Sequence, residues 1–192
     1  GIVYMIKLLS FLLLIIINFS SCALINYQDL PEIVSTAVFG VEDINVDQEL
    51  INQKKYSFAK VNLGRTGVAL LTLSTIEGDN FRWVSESGEV IITKNGKVVK
   101  TEGLPHNIDL IESKKIESNK QEAFIFLSNP DAFITQRLTI ITTDDSTKEL
   151  FKTIRFKWKG ENVYKYNANG LPIFTRQDIH PKLPIIEINF YY

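Results

Sequence analysis

Two residue types are nearly missing from this chain of 192 residues: it has one cysteine, Cys22, and one methionine, Met5. A single thiol excludes an intrachain disulfide and any thiolate metal site in the body of the protein. A domain of this length does not need such a staple, because its core is large enough to hold it together. An excess of one charge is missing too. The 21 Lys and Arg residues stand against 22 Asp and Glu, a formal net charge of −1. No basic surplus is available to neutralise phosphates, which argues against a nucleic-acid partner, and no acidic tract holds a segment unfolded. Histidine is limited to His106 and His180, each beside a proline and neither with a second histidine or a carboxylate at ligand spacing. They read as solvated loop residues, so neither a metal site nor a cofactor is expected. There is no GxSxG elbow, and Gly64-Arg65-Thr66-Gly67 is too short to cradle a phosphate. Fixed-period repeats and low-complexity segments are also absent.

The N-terminus carries the most apolar stretch. Met5 reads as the start, with residues 1–4 as an upstream extension, and Lys7 supplies a positive flank. Leu8 to Phe19 is apolar except for Ser10 and Asn18. About 7–15 apolar residues make the core of a secretory signal, whereas a membrane-spanning helix needs about 20. Ser20 and Ser21 then lead into Cys22, and small residues there let a chain enter a peptidase cleft. The arrangement resembles a lipobox, in which diacylglycerol is joined to the cysteine thiol before cleavage, although Phe19 stands where leucine is usual. Residues 1–21 are therefore expected to be a lipoprotein signal peptide, and 22–192 one β-rich domain. Acyl chains such as palmitate on Cys22, at roughly 0.8 kcal/mol per buried methylene, would form a lasting membrane anchor. Ala23 follows the cysteine rather than the aspartate that retains lipoproteins in the inner membrane of enteric bacteria, which favours the outer membrane.

Beyond the cysteine, Asp29 to about Val41 reads as one short helix. Pro31 suits its first turn, and Ile33, Ala37 and Val38 form a stripe. From Tyr56 the pattern changes to strands over Ser57 to Leu63, Val68 to Ile76, Phe81 to Val84, Val90 to Thr93 and Lys97 to Thr101. Asn95-Gly96 between the last two is a strong hairpin signal, because both turn positions need positive φ. Ile108 to Gln121 is polar and reads as a loop with one short strand. Further strands fall at Ala123 to Leu127, Arg137 to Thr143, Leu150 to Trp158, Val163 to Tyr166, Ile173 to Arg176 and Pro184 to Phe190. About ten short strands at roughly 8–12-residue spacing, linked as hairpins, predict an antiparallel up-and-down barrel or a sandwich.

Chemistry is hard to find in this pattern. The closest carboxylates, Glu86 with Glu89, Asp144 with Asp145 and Glu117 with Glu122, all fall in turns or polar loops, where solvated residues are normal. Phe81-Arg82-Trp83 and Phe156-Lys157-Trp158 alternate with period two, which puts their aromatics on one sheet face, normally the core. A sugar-stacking role for an aromatic is the competing reading.

One stretch carries a specific resemblance. A tryptophan strand (Trp83), a turn ending in Gly88, then Thr93-Lys94-Asn95-Gly96-Lys97 and Thr101-Glu102-Gly103-Leu104-Pro105 follow in order. This series resembles the YjbF/GfcB family of lipoproteins, encoded with exopolysaccharide and group 4 capsule genes of Gram-negative bacteria. The likeness extends to Phe39-Gly40 and to Tyr166 through Gln177. It implies an outer-membrane-associated, periplasm-facing lipoprotein with a barrel-like β fold, working beside polysaccharide-export proteins and without enzymatic activity. Trp83, Gly88, Asn95, Gly96, Gly103, Leu104 and Pro105 are then structural: the glycines and Asn95 make turns and Trp83 packs. Two alternatives belong to other classes: a barrel that carries a glycan or lipid, and a glycan-processing enzyme.

Overall fold

The computed structural model describes residues 46, 48–64, 67–129, 131–155 and 157–192. The leader, Cys22 and the helix expected over Asp29 to Val41 lie outside them. The helix that is described, α1 (Gln48–Gln53), is one and a half turns long with no buried residue. Side-chain hydrogen bonds four residues apart, Gln48 to Asn52 at 3.0 Å and Gln53 to Glu49 at 3.3 Å, support it.

Twelve strands follow: β1 (Phe58–Asn62), β2 (Val68–Glu77), β3 (Asn80–Ser85), β4 (Val90–Lys94), β5 (Lys97–Glu102), β6 (Ile108–Glu117), β7 (Lys120–Leu127), β8 (Ala132–Thr142), β9 (Ser146–Thr153), β10 (Lys159–Tyr166), β11 (Pro172–Gln177) and β12 (Ile186–Tyr191). Each pairs antiparallel with the next in sequence, and β12 returns to β1 with Ala59 opposite Phe190 and Val61 opposite Ile188. The sheet is thus a closed up-and-down barrel, which removes the exposed edges an open sandwich would keep. Asn95 (φ 51°) and Gly96 (φ 80°) turn the chain between β4 and β5, the left-handed pair that a two-residue hairpin requires. A Cβ on Gly96 would stand 2.9 Å from Cβ of Pro172, so space forbids a side chain there as well.

Period-two alternation sends one set of side chains inward. On one side of the barrel these make a large apolar cluster that includes Ala59, Val61, Leu71, Trp83, Ile91, Val98, Ile188 and Phe190. Fully burying a side chain of this size contributes roughly 1.5–3 kcal/mol. Trp83 lies 5.2 Å from Phe190, ring to ring, and its indole N–H donates to Thr93 Oγ1 at 3.0 Å, so the buried indole donor is satisfied. A smaller cluster of Ala123, Leu138 and Phe151 occupies the other side, against Trp158.

The two ends of the barrel differ. The loop between β11 and β12 folds into one end, burying Ile179 and His180 and packing Leu183 on the core. Gln136 Nε2 fixes this plug by donating to the Ile179 carbonyl at 3.2 Å. The other end, which carries the Asn95-Gly96 turn, is open. There β5 and β6 share a single register pair, Lys100 with Asp109, and then part.

Several sequence expectations change here. The polar stretch Ile108 to Gln121 forms most of a long hairpin, β6 and the start of β7, rather than a loop. Its ladder is real, with Lys114 opposite Glu122 and Glu117 opposite Lys120, but Ile111 and Ile116 are exposed, so neither face is dry enough to produce alternation. The strand expected over Leu150 to Trp158 ends at Thr153, and Trp158 turns back onto Phe151 with ring centroids 4.6 Å apart. Phe124 and Phe126 face outward, because Ala123, Ile125 and Leu127 take the inward positions of β7.

His180 is not a solvated loop residue. It is buried, and burial followed by the nearby Lys182 charge holds its imidazole below the ordinary value of 6.5. Its Nδ1 accepts from the Lys182 backbone N–H at 3.1 Å, so that nitrogen carries no proton in the folded state. A histidine with a lowered folded pKa takes up its proton first in the unfolded chain. Stability from this group is therefore present above about 6.5 and is lost as pH falls towards the folded value. Thermal unfolding followed from pH 7.5 downward should show this loss in the wild type. His180→Asn, which keeps an acceptor in place and cannot titrate, should flatten that part of the profile; an unchanged profile would contradict the assignment.

Candidate functional site

The parting of β5 from β6 opens a mouth of about 430 Å³ at the end opposite the plug. Inward-facing residues of six strands wall it: Lys97 and Val99 from β5, Leu110 and Ser113 from β6, Gln121 from β7, Ile140 from β8, Thr147 and Glu149 from β9, and Tyr164 and Tyr166 from β10. The volume falls within the range of small-molecule sites, and the lining mixes aromatic, aliphatic and polar groups.

Glu149 organises the wall. Its side chain is 8% exposed, and Lys97 Nζ donates to both carboxylate oxygens, at 2.8 and 3.0 Å. Oε2 also accepts from the Tyr164 hydroxyl at 2.9 Å and from Asn162 Nδ2 at 3.2 Å. Burial pushes the Tyr164 hydroxyl well above its ordinary range, and the Glu149 charge and hydrogen bond push it the same way, so it stays a neutral donor. Tyr166 is raised as well, mainly by burial, and its hydroxyl lies 3.4 Å from the Asn95 carbonyl at the rim.

Gln177 lies behind the wall of the mouth, with its Oε1 3.4 Å from the Tyr164 hydroxyl, and forms a floor beneath it. Its Oε1 accepts from the backbone N–H of Val98 at 3.0 Å and its Nε2 donates to the Gly96 carbonyl at 3.1 Å. A side-chain amide on β11 thereby supplies β5 with hydrogen bonds across the barrel. Asn162 Oδ1 accepts the Asp178 backbone N–H at 2.8 Å and joins this floor to the start of the plug.

Tyr164 and Tyr166 belong to the aromatics for which sugar stacking is the competing reading and Lys97 to the family motif, whereas Glu149, Asn162 and Gln177 are not singled out by the sequence. A usable signal was present, since Glu149, Phe151 and Thr153 alternate, as do Asn162, Tyr164 and Tyr166; placing the start of β9 at Leu150 left Glu149 in a turn. The carboxylate pairs that sequence did single out do not converge. Glu117 pairs with Lys120 at 2.8 Å and Glu122 with Arg137 at 3.0 Å, Glu89 accepts from the Ser85 and Ser87 hydroxyls, and Asp145 accepts from Thr143. His106 bonds the Asn129 carbonyl through Nδ1 in an exposed loop. Among the described residues no three His, Cys, Asp or Glu side chains are grouped to hold a metal.

The motif residues are spread along the barrel. Trp83 is in the core and Asn95-Gly96 stands at the rim of the mouth. Gly88 (φ 97°) and Gly103 (φ 78°) lie together at the plugged end, where a Cβ on Gly103 would be 3.4 Å from Cα of Glu89 and 3.7 Å from the Gly88 carbonyl oxygen. Leu104 N–H donates to Asn107 Oδ1 at 3.0 Å, and the Pro105 carbonyl accepts from Asn129 Nδ2 at 3.4 Å. These contacts hold turns and loops in place.

The fold is a twelve-stranded barrel, plugged at one end and open to a polar, tyrosine-lined mouth at the other. The chain belongs to the YjbF family, described as group 4 capsule polysaccharide lipoprotein GfcB/YjbF, which it matches over residues 32–169. Its fold is similar to the crystal structure of the hypothetical lipoprotein YmcC from Escherichia coli K12, with a TM-score of 0.62 at 18% identity; the match covers 83% of this chain and 93% of that one. No curated protein matches the chain.

Glu149 is the keystone of the wall, since removing it leaves Lys97, Tyr164 and Asn162 without their shared acceptor. Breaking a buried ion pair from one side costs about 3–5 kcal/mol. Glu149→Ala should lower the denaturant-derived stability by about that amount, and a loss below about 1 kcal/mol would mean that water can replace the carboxylate.

Proposed function

We propose that this protein is an accessory lipoprotein in the export or assembly of capsule or exopolysaccharide, anchored through lipidated Cys22 and acting by contacts with polysaccharide-export proteins. The family match carries the reading. The acyl chains hold the domain at the outer membrane, facing the periplasm. The barrel supports a role without bond-making chemistry: Glu149, the carboxylate that faces the mouth, is saturated by Lys97, Tyr164 and Asn162 and has no second carboxylate across from it among the lining residues.

A second reading has an observation of its own. The mouth offers two tyrosine rings and hydrogen-bonding groups from Lys97, Ser113 and Gln121 in a space large enough for a sugar unit. In that reading the barrel holds a segment of glycan while its partners move or assemble it.

Strains with a clean deletion, and with Cys22→Ala in its place, test the anchored role. Deletion should reduce surface polysaccharide. Cys22→Ala should move the protein from the membrane to the soluble fraction and reduce polysaccharide to the deletion level. Normal polysaccharide in the deletion strain would refute the export role; an unchanged membrane fraction for Cys22→Ala would refute the lipid anchor.

A further inference from the structure

Three basic residues stand in a row on the outer face of the barrel. Arg137 on β8 is directly opposite Lys152 on β9, and Lys152 is directly opposite Lys159 on β10. Adjacent strands lie about 4.8 Å apart, which puts the three side chains within reach of one another. Like charges directly opposite on a sheet face are destabilising, so such a row has a cost unless an anion meets it. Glu122 compensates Arg137 at 3.0 Å. Lys152 and Lys159 have no ion-pair partner among the described residues.

The surrounding sequence adds to this field. Residues 146–165 hold six Lys and Arg against two Glu, in a chain whose net charge is only −1. One of the two, Glu149, points into the barrel and is spent on Lys97. Over the row runs a groove of about 690 Å³ that Lys120, Arg137, Lys152 and Lys159 share with two exposed aliphatic side chains, Leu150 and Ile116. Cations for acidic groups, beside an apolar surface for ring faces, are what an acidic sugar chain needs, and a groove receives a strand of polymer better than a flat membrane surface.

We propose that this outer groove binds an acidic polysaccharide, with the anionic groups of the polymer on Lys152 and Lys159. The choice of polymer class rests on the capsule-polysaccharide reading above; the site itself rests on the opposed, uncompensated cations. Its cations on β8 to β10 face outward, whereas the mouth residues of those strands face inward; Gln121 borders both.

The test uses the full chain, with polygalacturonate as the acidic probe, dextran as the neutral control and phosphatidylglycerol vesicles as the anionic lipid control. The wild type should bind polygalacturonate with an affinity that falls as salt rises, and should not retain dextran. The Lys152→Gln, Lys159→Gln double variant should lose at least about tenfold in affinity, the order expected from removing two charge-assisted contacts, with no fall in thermal midpoint, because opposed like charges have been removed. The Lys152→Arg, Lys159→Arg variant should keep binding. Equal binding by the wild type and the Gln variant, no preference for polygalacturonate over dextran, or binding to the vesicles alone would each overturn the site. A deletion strain that loses surface polysaccharide while the purified protein ignores polygalacturonate would leave the export role standing and remove only this groove.

Discussion

The amide of Gln177 is the contact on which the shape of this barrel depends. Eight strands already enclose an interior that side chains just fill, and diameter grows with strand number. A barrel of twelve strands must therefore take in a plug or keep a cavity, and this one does both. At the point where β6 leaves β5, the freed backbone groups of Gly96 and Val98 would face the interior without partners. An unsatisfied buried backbone group costs about 1–3 kcal/mol. Gln177 meets both, its carbonyl oxygen on the Val98 N–H and its amide nitrogen on the Gly96 carbonyl. β11 is drawn towards β5 across the lumen, and the interior is divided into an apolar compartment around Trp83 and a polar one around Glu149.

That division explains why the two halves of the lumen have different chemistry. On the Trp83 side the inward positions are apolar almost without exception, and the indole N–H is satisfied within the core by Thr93. On the other side the inward positions of β8 to β11 include Gln136, Glu149, Asn162, Tyr164 and Gln177, each hydrogen-bonded to another inward group or to the plug. Such a network is sound only when every member is partnered. Here hydrogen bonds run from the rim lysine Lys97 through Glu149 and Asn162 to the Asp178 backbone at the start of the plug, Gln136 holds the next residue, Ile179, separately, and the buried Thr175 Oγ1 on β11 is the exception, without a partner among the described residues.

Much of the architecture was legible in the sequence because it rests on local rules. Asn95-Gly96 marked its hairpin through turn chemistry, and β-prone runs bounded by turn signals marked β2 to β5 and β11. The family resemblance read through Trp83, Gly88 and Thr101 to Pro105 agrees with the family match. What sequence hid has two physical causes. The tip of the β6–β7 hairpin, from Ser113 to Lys120, is exposed throughout, so cross-strand charge pairs stand where a hydrophobic period would be and the stretch reads as a loop. The mouth is built from polar residues facing inward, the reverse of the usual expectation, so Glu149, Asn162 and Gln177 looked like surface positions. Strand register, which no local pattern carries, is also what aligns Arg137, Lys152 and Lys159. At His180 the signal is weak: Ile179 beside it is apolar, but Asp178, Pro181 and Lys182 give the segment the composition of a solvated loop.

Amide hydrogen exchange at Val98 tests the Gln177 bridge most directly. In the wild type the Val98 N–H should be protected to a degree comparable with the β3 and β4 amides beside Trp83. In Gln177→Leu, which fills similar volume without a hydrogen bond, Val98 should exchange several times faster while those β3 and β4 amides keep their protection. Equal protection of Val98 in both proteins would show that β5 finds another partner, and the division of the lumen by Gln177 would be wrong.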